Sequence, residues 1–145
     1  MTTALREQSR LDYRHFQTIP TRWMDNDIYG HVNNVHYYSY FDTAVNQYLI
    51  ERGCLDIRHG AVVGFVVETS CNYFRPLVFP DLVHAGIRVA RIGKSSVRYE
   101  IGLFRKDDEK VAAAGHFIHA HVDRHSGLAV DVPDAVRLAL APIML

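Results

Sequence analysis

Residues 23–44, WMDNDIYGHVNNVHYYSYFDTA, decide the fold because a polar turn runs directly into an amphipathic segment. From Val35 onward, apolar and aromatic residues recur three or four positions apart, which is helical spacing. Asn33 or Asn34 can cap the start and Gly53 can close the end, giving a helix of about eighteen residues, or ~27 Å. The sequence therefore predicts one long helix directly after the polar turn.

Five further segments have the character of β-strands, one before the helix and four after it. The strand in residues 62–67, VVGFVV, is apolar on both faces, so a second subunit is expected to cover or extend it. The prediction is an α+β fold with a five-stranded antiparallel sheet, assembled at least as a homodimer. The predicted strands are residues 16–23, 62–75, 82–92, 96–105 and 111–122.

The composition predicts a single domain spanning residues 1–145, with residues 1–14 as an N-terminal extension. Residues 131–145 form a tail whose spacing predicts a short terminal helix. Sixteen basic and sixteen acidic residues cancel, so no overall field attracts nucleic acid or an anionic membrane. No apolar run approaches the ~20 residues that span a bilayer, and we expect a cytoplasmic protein.

Several catalytic and metal-binding motifs are missing from the chain. There is no G-x-S-x-G, C-x-x-C, H-E-x-x-H or glycine-rich phosphate loop, which disfavours serine hydrolases, zinc hydrolases and P-loop enzymes. The start of a calcium loop at residues 25–30 fails because Tyr29 and His36 replace required oxygen ligands. His119 and His121 share a strand face, but no cysteine or carboxylate completes a set. We expect no bound metal.

The polar turn suits acyl transfer to water. A helix N-terminus presents unpaired N–H groups and partial positive charge, which stabilise an oxyanion on a carbonyl under attack. Gly30 allows close backbone approach there, and Asp27 can activate water or attack the carbonyl itself. A thioester fits such a site because its carbonyl is weakly stabilised and thiolate leaves readily. The alternative is that Asp25, Asp27, Asn33 and Asn34 only form a turn and a helix cap.

The turn carries the pattern D-x-D-x-x-G-H-V-N-N-x-x-Y-x-x-Y over residues 25–40. This pattern resembles the signature of hotdog-fold acyl-CoA thioesterases of the 4-hydroxybenzoyl-CoA thioesterase family. The resemblance extends through N-Y-F-R-P-L at residues 72–77, I-G-K-S-S at residues 92–96 and D-R-H-S-G at residues 123–127. It covers residues 16–140.

The resemblance implies a sheet wrapped around one central helix, with two subunits joining their sheets and active sites at the dimer interface. A dimer of such dimers, a homotetramer, is the further assembly implied. By position, Asp27 matches the catalytic carboxylate, the backbone N–H of Asn34 matches the oxyanion donor, and Gly30 lies between them. The substrate supplies coenzyme A, and no separate cofactor is expected.

A wider set of residues is predicted to bind the substrate. Lys94 and its two neighbouring serines match a loop that meets the phosphates of coenzyme A in some relatives. Tyrosines of the helix and residues 62–67 of the partner strand are expected to line the acyl pocket. The candidates are Asp25, His31, Asn33, Tyr37, Tyr40, Phe65, Val66, Lys94, Ser95 and Ser96.

Two other functions remain open. A hotdog hydratase or dehydratase would use a histidine as its acid–base group, and His31 is the candidate near the turn. A non-catalytic dimer that binds acyl-CoA is the second alternative. The sequence leaves open whether Asp27 is a base or a nucleophile, which acyl group is used, and whether the thiol is coenzyme A or a carrier protein.

Overall fold

A computed structural model describes residues 4–145 of the chain. One 18-residue helix and five strands form the body of the molecule, in the order that the sequence predicts. Short 3-10 turns lie at Leu5–Glu7, Arg10–Asp12, Trp23–Asp25 and Ala141–Ile143. The elements are β1 (His15–Pro20), α1 (Asn34–Glu51), β2 (Val62–Tyr73), β3 (Leu82–Ile92), β4 (Ser96–Arg105), β5 (Ala113–Asp123) and α2 (Asp134–Leu140).

The strands form one antiparallel sheet in the order β1-β3-β4-β5-β2. β1 ends at Pro20, three residues before the predicted end at Trp23. The reason is local, since the Asp25 carboxylate accepts a hydrogen bond from the Arg22 N–H at 2.8 Å and draws Trp23–Asp25 into a 3-10 turn. The chain therefore leaves the sheet before it reaches the polar turn.

Helix α1 packs its apolar stripe against the sheet. Asn33 caps the helix, its side-chain oxygen accepting the Val35 N–H at 3.2 Å, and Gly53 follows its end with a φ of +73°. The inward residues recur at the period of an α-helix, so burial of one face explains why this segment is helical. They are Tyr37, Tyr40, Phe41, Ala44, Val45, Tyr48 and Leu49.

Among residues 4–145, strand β2 forms one edge of the sheet and pairs only with β5. Three apolar residues in the middle of β2 are strongly exposed to solvent. Their exposed fractions are 55% for Phe65, 45% for Val66 and 61% for Val67. The register with β5 shifts between Val66 and Glu68, so Val67 is the extra residue of a β-bulge. A long apolar edge of this kind offers unpaired backbone groups to another strand.

The C-terminal tail contains the predicted short helix. Val136 and Leu140 of α2 are buried, and they join the core beneath the sheet. Among residues 4–145, no helix combines the length and the apolar character needed to cross a membrane.

Candidate active site

The polar turn is closed by backbone hydrogen bonds. The Asp27 N–H donates to the His31 carbonyl at 2.8 Å, and the Gly30 N–H donates to the Asp27 carbonyl at 3.0 Å. Gly30 adopts a φ of +80°, which side chains rarely tolerate, so a glycine allows this tight turn. The Asn33 N–H donates to the Asp25 carbonyl at 2.8 Å, which joins the turn to the helix cap. These bonds hold Asp27 in front of α1.

A cavity of about 350 Å³ lies between this turn, the start of α1 and the end of β2. We call it the Asp27 cavity. It brings together four of the predicted site residues, two from the turn and two from the helix. Its lining residues are Asp27, His31, Val32, Asn34, Tyr37, Tyr73, Phe74, Arg75 and Pro76.

The Asp27 carboxylate is partly exposed and keeps one oxygen available. Its Oδ1 accepts the Tyr29 N–H at 2.9 Å and, more weakly, the His31 N–H at 3.4 Å. Within residues 4–145, its Oδ2 accepts no hydrogen bond. The carboxylate is thus oriented through one oxygen, while the other can contact a ligand.

The first backbone N–H groups of α1 differ in whether they have a hydrogen-bond acceptor. The Val35 N–H donates to the Asn33 side chain at 3.2 Å, and the His36 N–H donates to the Asn33 carbonyl at 3.0 Å. The Asn34 N–H has no acceptor in the described part of the chain. It lines the same cavity as Asp27, at the positive end of the helix dipole. This donor is free to bind an oxyanion.

Asp25 lies behind the cavity and is fully buried. Its Oδ2 accepts the Tyr40 hydroxyl at 2.7 Å and the Arg22 N–H at 2.8 Å, and its Oδ1 accepts the Arg22 Nε at 2.9 Å. Burial raises the pKa of Asp25, but the hydrogen bonds from Arg22 and Tyr40 outweigh it and place the pKa below its usual value. Asp25 and Tyr40 therefore anchor the turn from the inside and do not line the cavity.

Tyr37 ties the helix to the loop that follows β2. Its hydroxyl accepts the Leu77 N–H at 3.2 Å, and the Val32 N–H donates to the Leu77 carbonyl at 2.8 Å. Burial raises the pKa of Tyr37, so its hydroxyl stays protonated at neutral pH. The loop residues that form the wall beside Tyr37 were not among the predicted site residues. In the sequence, these residues could have been identified by their place in the N-Y-F-R-P-L motif.

Other predicted site residues lie away from the Asp27 cavity within one chain. Gly30 and Asn33 shape the turn and the helix cap but do not line the cavity. Phe65 and Val66 lie on the exposed edge of β2. The loop at residues 94–96 lies at the opposite end of the sheet, where the Ser95 carbonyl accepts the His121 N–H at 2.7 Å.

A second cavity, of about 240 Å³, lies at this opposite end, between the end of α1 and the start of β2. We call it the His119 cavity. The only sequence signal for it was the alternation of His119 and His121 on one face of β5. Among residues 4–145, no cluster of three or more potential ligands is arranged to hold a metal ion. The lining residues are Asn46, Leu49, Cys54, Leu55, Ile57, Val62, Val63, Gly64, His119, His121, Arg124, Pro133 and Val136.

Comparison with known proteins defines the class to which this fold and site belong. Residues 21–140 match the model of the thioesterase-like superfamily, and the chain belongs to that superfamily. It is similar to the solved structure of the PA5185 protein of Pseudomonas aeruginosa strain PAO1, with 55% identity and a TM-score of 0.92. That alignment covers 94% of this chain and 96% of the other.

Two further solved structures are similar. The PA2801 protein of Pseudomonas aeruginosa, a predicted thioesterase, is 32% identical, with a TM-score of 0.83 over 89% of this chain and 99% of that one. The BH1999 gentisyl-coenzyme A thioesterase is 23% identical, with a TM-score of 0.78 over 88% and 100% of the two chains, and this likeness concerns the fold. The predicted hotdog fold is confirmed, and acyl-thioester hydrolysis is the activity of this class.

Proposed function

We propose that this protein hydrolyses acyl-CoA thioesters to a free acid and coenzyme A. One observation carries the proposal: the free Oδ2 of Asp27 and the unpaired N–H of Asn34 line the same cavity. The first is a base or nucleophile and the second is an oxyanion donor, so together they provide both groups that hydrolysis of a thioester requires.

In the reaction, the thioester carbonyl oxygen accepts the Asn34 N–H. As a general base, Asp27 takes a proton from water while the water oxygen attacks the carbonyl carbon. The tetrahedral oxyanion then collapses, the carbon–sulfur bond breaks, and the thiolate of coenzyme A leaves. As a nucleophile, Asp27 instead forms a mixed anhydride that water opens in a second step. Either route uses the same free carboxylate oxygen.

A homodimer formed through β2 completes the site in this proposal. The support is the unpaired edge of β2, on which Phe65, Val66 and Val67 are exposed. A two-fold pairing of two β2 edges is antiparallel and removes the exposed edge. In this pairing the start of one β2 lies beside the end of the partner's β2. Phe65 and Val66, near that start, then lie close to the end of the partner's strand.

The same pairing brings the predicted coenzyme A loop into reach. Residues 94–96 contact β5 beside the start of β2. In the proposed dimer this end of the sheet, with the loop, therefore lies near the partner's Asp27 cavity. Coenzyme A as the thiol is further supported by a structural neighbour, the gentisyl-coenzyme A thioesterase. Membership of the narrower 4-hydroxybenzoyl-CoA thioesterase family stays a prediction that rests on the turn motif.

The decisive experiment compares Asp27→Asn with His31→Asn on one acyl-CoA substrate, with released thiol as the readout. Asp27→Asn should lower kcat by about 10²- to 10⁴-fold, because an amide neither accepts the proton nor attacks the carbonyl. Asp42→Asn, on the exposed face of α1, is the matched control and should keep normal turnover. Normal activity in Asp27→Asn would refute the mechanism.

The His31→Asn variant separates this proposal from the hydratase alternative. A thioesterase should tolerate the change better than Asp27→Asn, whereas a hydratase that uses His31 would lose most of its activity. Single turnover in H₂¹⁸O then tests the nucleophilic role of Asp27. If water opens the mixed anhydride at the Asp27 carbonyl carbon, the first product carries an oxygen from Asp27 and Asp27 acquires ¹⁸O. A general base acquires no ¹⁸O, so label in Asp27 identifies the nucleophile.

A further inference from the structure

The two cavities lie at opposite ends of the same elements. Tyr37 borders the Asp27 cavity and Asn46 borders the His119 cavity, and nine residues of helix separate them by ~14 Å. Phe41 and Val45, which are fully buried, fill the interior between them. An acyl group held at Asp27 therefore cannot reach the His119 cavity of its own chain.

The two ends of β2 connect the cavities across the proposed dimer. Val62, Val63 and Gly64 at the start of β2 line the His119 cavity, whereas Tyr73 at its end lines the Asp27 cavity. In an antiparallel two-fold pairing, the start of one β2 lies beside the end of the other. The His119 cavity of one subunit thus faces the Asp27 cavity of its partner.

The His119 cavity contains an unusual polar group. The His119 side chain is only 3% exposed, and its Nδ1 is buried with no hydrogen-bond partner among residues 4–145. Its Nε2 is not sealed in this way, and within the described residues it forms no hydrogen bond either. The pKa of His119 is lowered to about 4, chiefly by burial and secondly by the neighbouring His121, so the ring is neutral at pH 7. A neutral imidazole carries one donor and one acceptor. Such groups are rarely left unpaired in the interior, so the Nε2 of His119 is suited to pair with a ligand in the cavity.

Two neighbours fix the position of the His119 ring. A Cβ atom added at Gly64 would lie 3.0 Å from the His119 Nδ1, so the glycine lets the ring pack closely against the backbone of β2. The Tyr99 ring lies edge-on to the His119 ring with centroids 5.7 Å apart, and its own hydroxyl is buried without a partner among the described residues. With the ring held in this way, Nε2 is the nitrogen that can contact a ligand.

The rest of the cavity wall is mainly apolar, with Asn46, His121 and Arg124 as its other polar members, and the volume limits the size of a ligand. A cavity of ~150 Å³ holds benzene, with six non-hydrogen atoms, so by proportion 240 Å³ holds up to about ten. The Arg124 guanidinium donates to the carbonyls of Gly60 and Ile57, at 2.5 and 2.7 Å, so two of its nitrogens are engaged within the protein. A single Arg124 cation with two nitrogens already engaged, beside neutral histidines and apolar walls, compensates the several phosphate charges poorly, which disfavours the nucleotide of coenzyme A as the occupant.

We propose that the His119 cavity is the acyl pocket of the partner's Asp27 site and that His119 selects acyl groups with a hydrogen-bonding group near their far end. The acyl group has about six to ten non-hydrogen atoms. This inference rests on the proposed thioesterase function. In this proposal His119 determines which acyl group is accepted, and it lies away from the carbon–sulfur bond that breaks.

The first test compares ω-hydroxyacyl-CoA esters of four to eight carbons with their unsubstituted parents. For the best-fitting length, the wild type should prefer the hydroxylated ester by about ten- to a hundredfold in kcat/KM, because the parent leaves His119 unpaired. His119→Leu should abolish this preference. His116→Leu, on the opposite face of β5, is the matched control and should retain it. An unchanged preference in His119→Leu, or none in the wild type, refutes the proposal.

The second test asks which subunit supplies the pocket. Mixed dimers are made from one Asp27→Asn chain and one His119→Leu chain. If the pocket serves the partner, the intact Asp27 faces the intact His119, and the dimer keeps half the wild-type rate with wild-type preference. If the pocket serves its own chain, the chain with the intact Asp27 has the His119→Leu pocket and the preference is lost, which refutes the assignment to the partner.

A binding measurement separates failure of this inference from failure of the proposed function. The free ω-hydroxy acid is titrated into the wild-type dimer while the ring ¹⁵N signals of His119 are recorded by NMR. Tighter binding than the parent acid, with a shift of the His119 signals, supports the pocket even if Asp27→Asn retains full activity. Absence of any shift at His119 refutes the pocket even if Asp27 is catalytic.

Discussion

Replacing Asp25 by asparagine tests whether the two aspartates of the turn have different roles. The Asp25 carboxylate accepts three hydrogen bonds, from the Arg22 N–H, the Arg22 Nε and the Tyr40 hydroxyl, at 2.7 to 2.9 Å, and its Oδ1 forms an ion pair with the Arg22 Nη2 at 2.8 Å. An amide of the same shape keeps one acceptor oxygen and places an NH₂ group against the remaining donors. In either orientation of the amide, at least one hydrogen bond from Arg22 is lost, either from its N–H or from its Nε, and the others lose their charge assistance.

The expected cost follows from these contacts. A buried hydrogen bond to a charged group contributes ~1.5–3 kcal/mol, and the ion pair adds at most about 1 kcal/mol because the Arg22 side chain is 57% exposed. The free energy of unfolding should therefore fall by ~2–4 kcal/mol in Asp25→Asn. For a chain of this length, the Tm should fall by roughly 6–12 °C.

The loss of stability in Asp25→Asn should become smaller as the pH falls. The folded-state pKa of Asp25 lies below its ordinary value, because hydrogen bonds from Arg22 and Tyr40 outweigh the effect of burial. Its carboxylate therefore stabilises the fold above the unfolded-state pKa of ~3.9, and this contribution is lost as the pH falls through the folded-state value. The difference between wild type and Asp25→Asn should be complete at pH 5 to 7 and shrink below about pH 4.

Urea unfolding followed by circular dichroism, at a fixed protein concentration, measures this difference. Asp42→Asn, a carboxylate on the exposed face of α1, is the control and should change stability by less than about 0.5 kcal/mol. If Asp25→Asn is as stable as the wild type at pH 7, the buried network does not hold the turn. The structure would then give no reason to assign Asp25 to anchoring the turn and Asp27 to the reaction.

Three more outcomes are expected. Val66→Glu should lose the dimer in sedimentation velocity and lose activity with it, because burying an unpaired carboxylate costs several kcal/mol; a fully active monomer would contradict the interface. Lys94→Ala should raise KM for acyl-CoA several-fold with a smaller effect on kcat, and an equal defect toward a thioester without the nucleotide would exclude a phosphate contact. Burial raises the pKa of Cys71 to about 11, so its alkylation should be slow at pH 8 and accelerate about tenfold per pH unit up to pH 10; a fast reaction at pH 8 would contradict the burial.

Local sequence determined the secondary structure and the place of the reactive turn. Asn33 or Asn34 was predicted to cap the helix, and Asn33 is the observed cap, because the apolar period and the cap lie within adjacent residues. Gly30 was singled out because it allows close backbone approach, and the structure adds a second reason, a φ of +80° in the turn. The strands followed from their β-branched and aromatic content to within two residues at each end, except where the Arg22–Asp25 contact ended β1 three residues early.

Only the tertiary structure decided which polar residues work together. Asp25 and Asp27 look alike in the sequence, and Asp25 is buried because Tyr40, fifteen residues later, reaches it through the fold. The His119 cavity combines the end of α1, the start of β2 and the end of β5, which are distant along the chain. Periodicity reports only a residue's own neighbours along the chain, whereas a cavity exists where separate elements pack together and leave space between them.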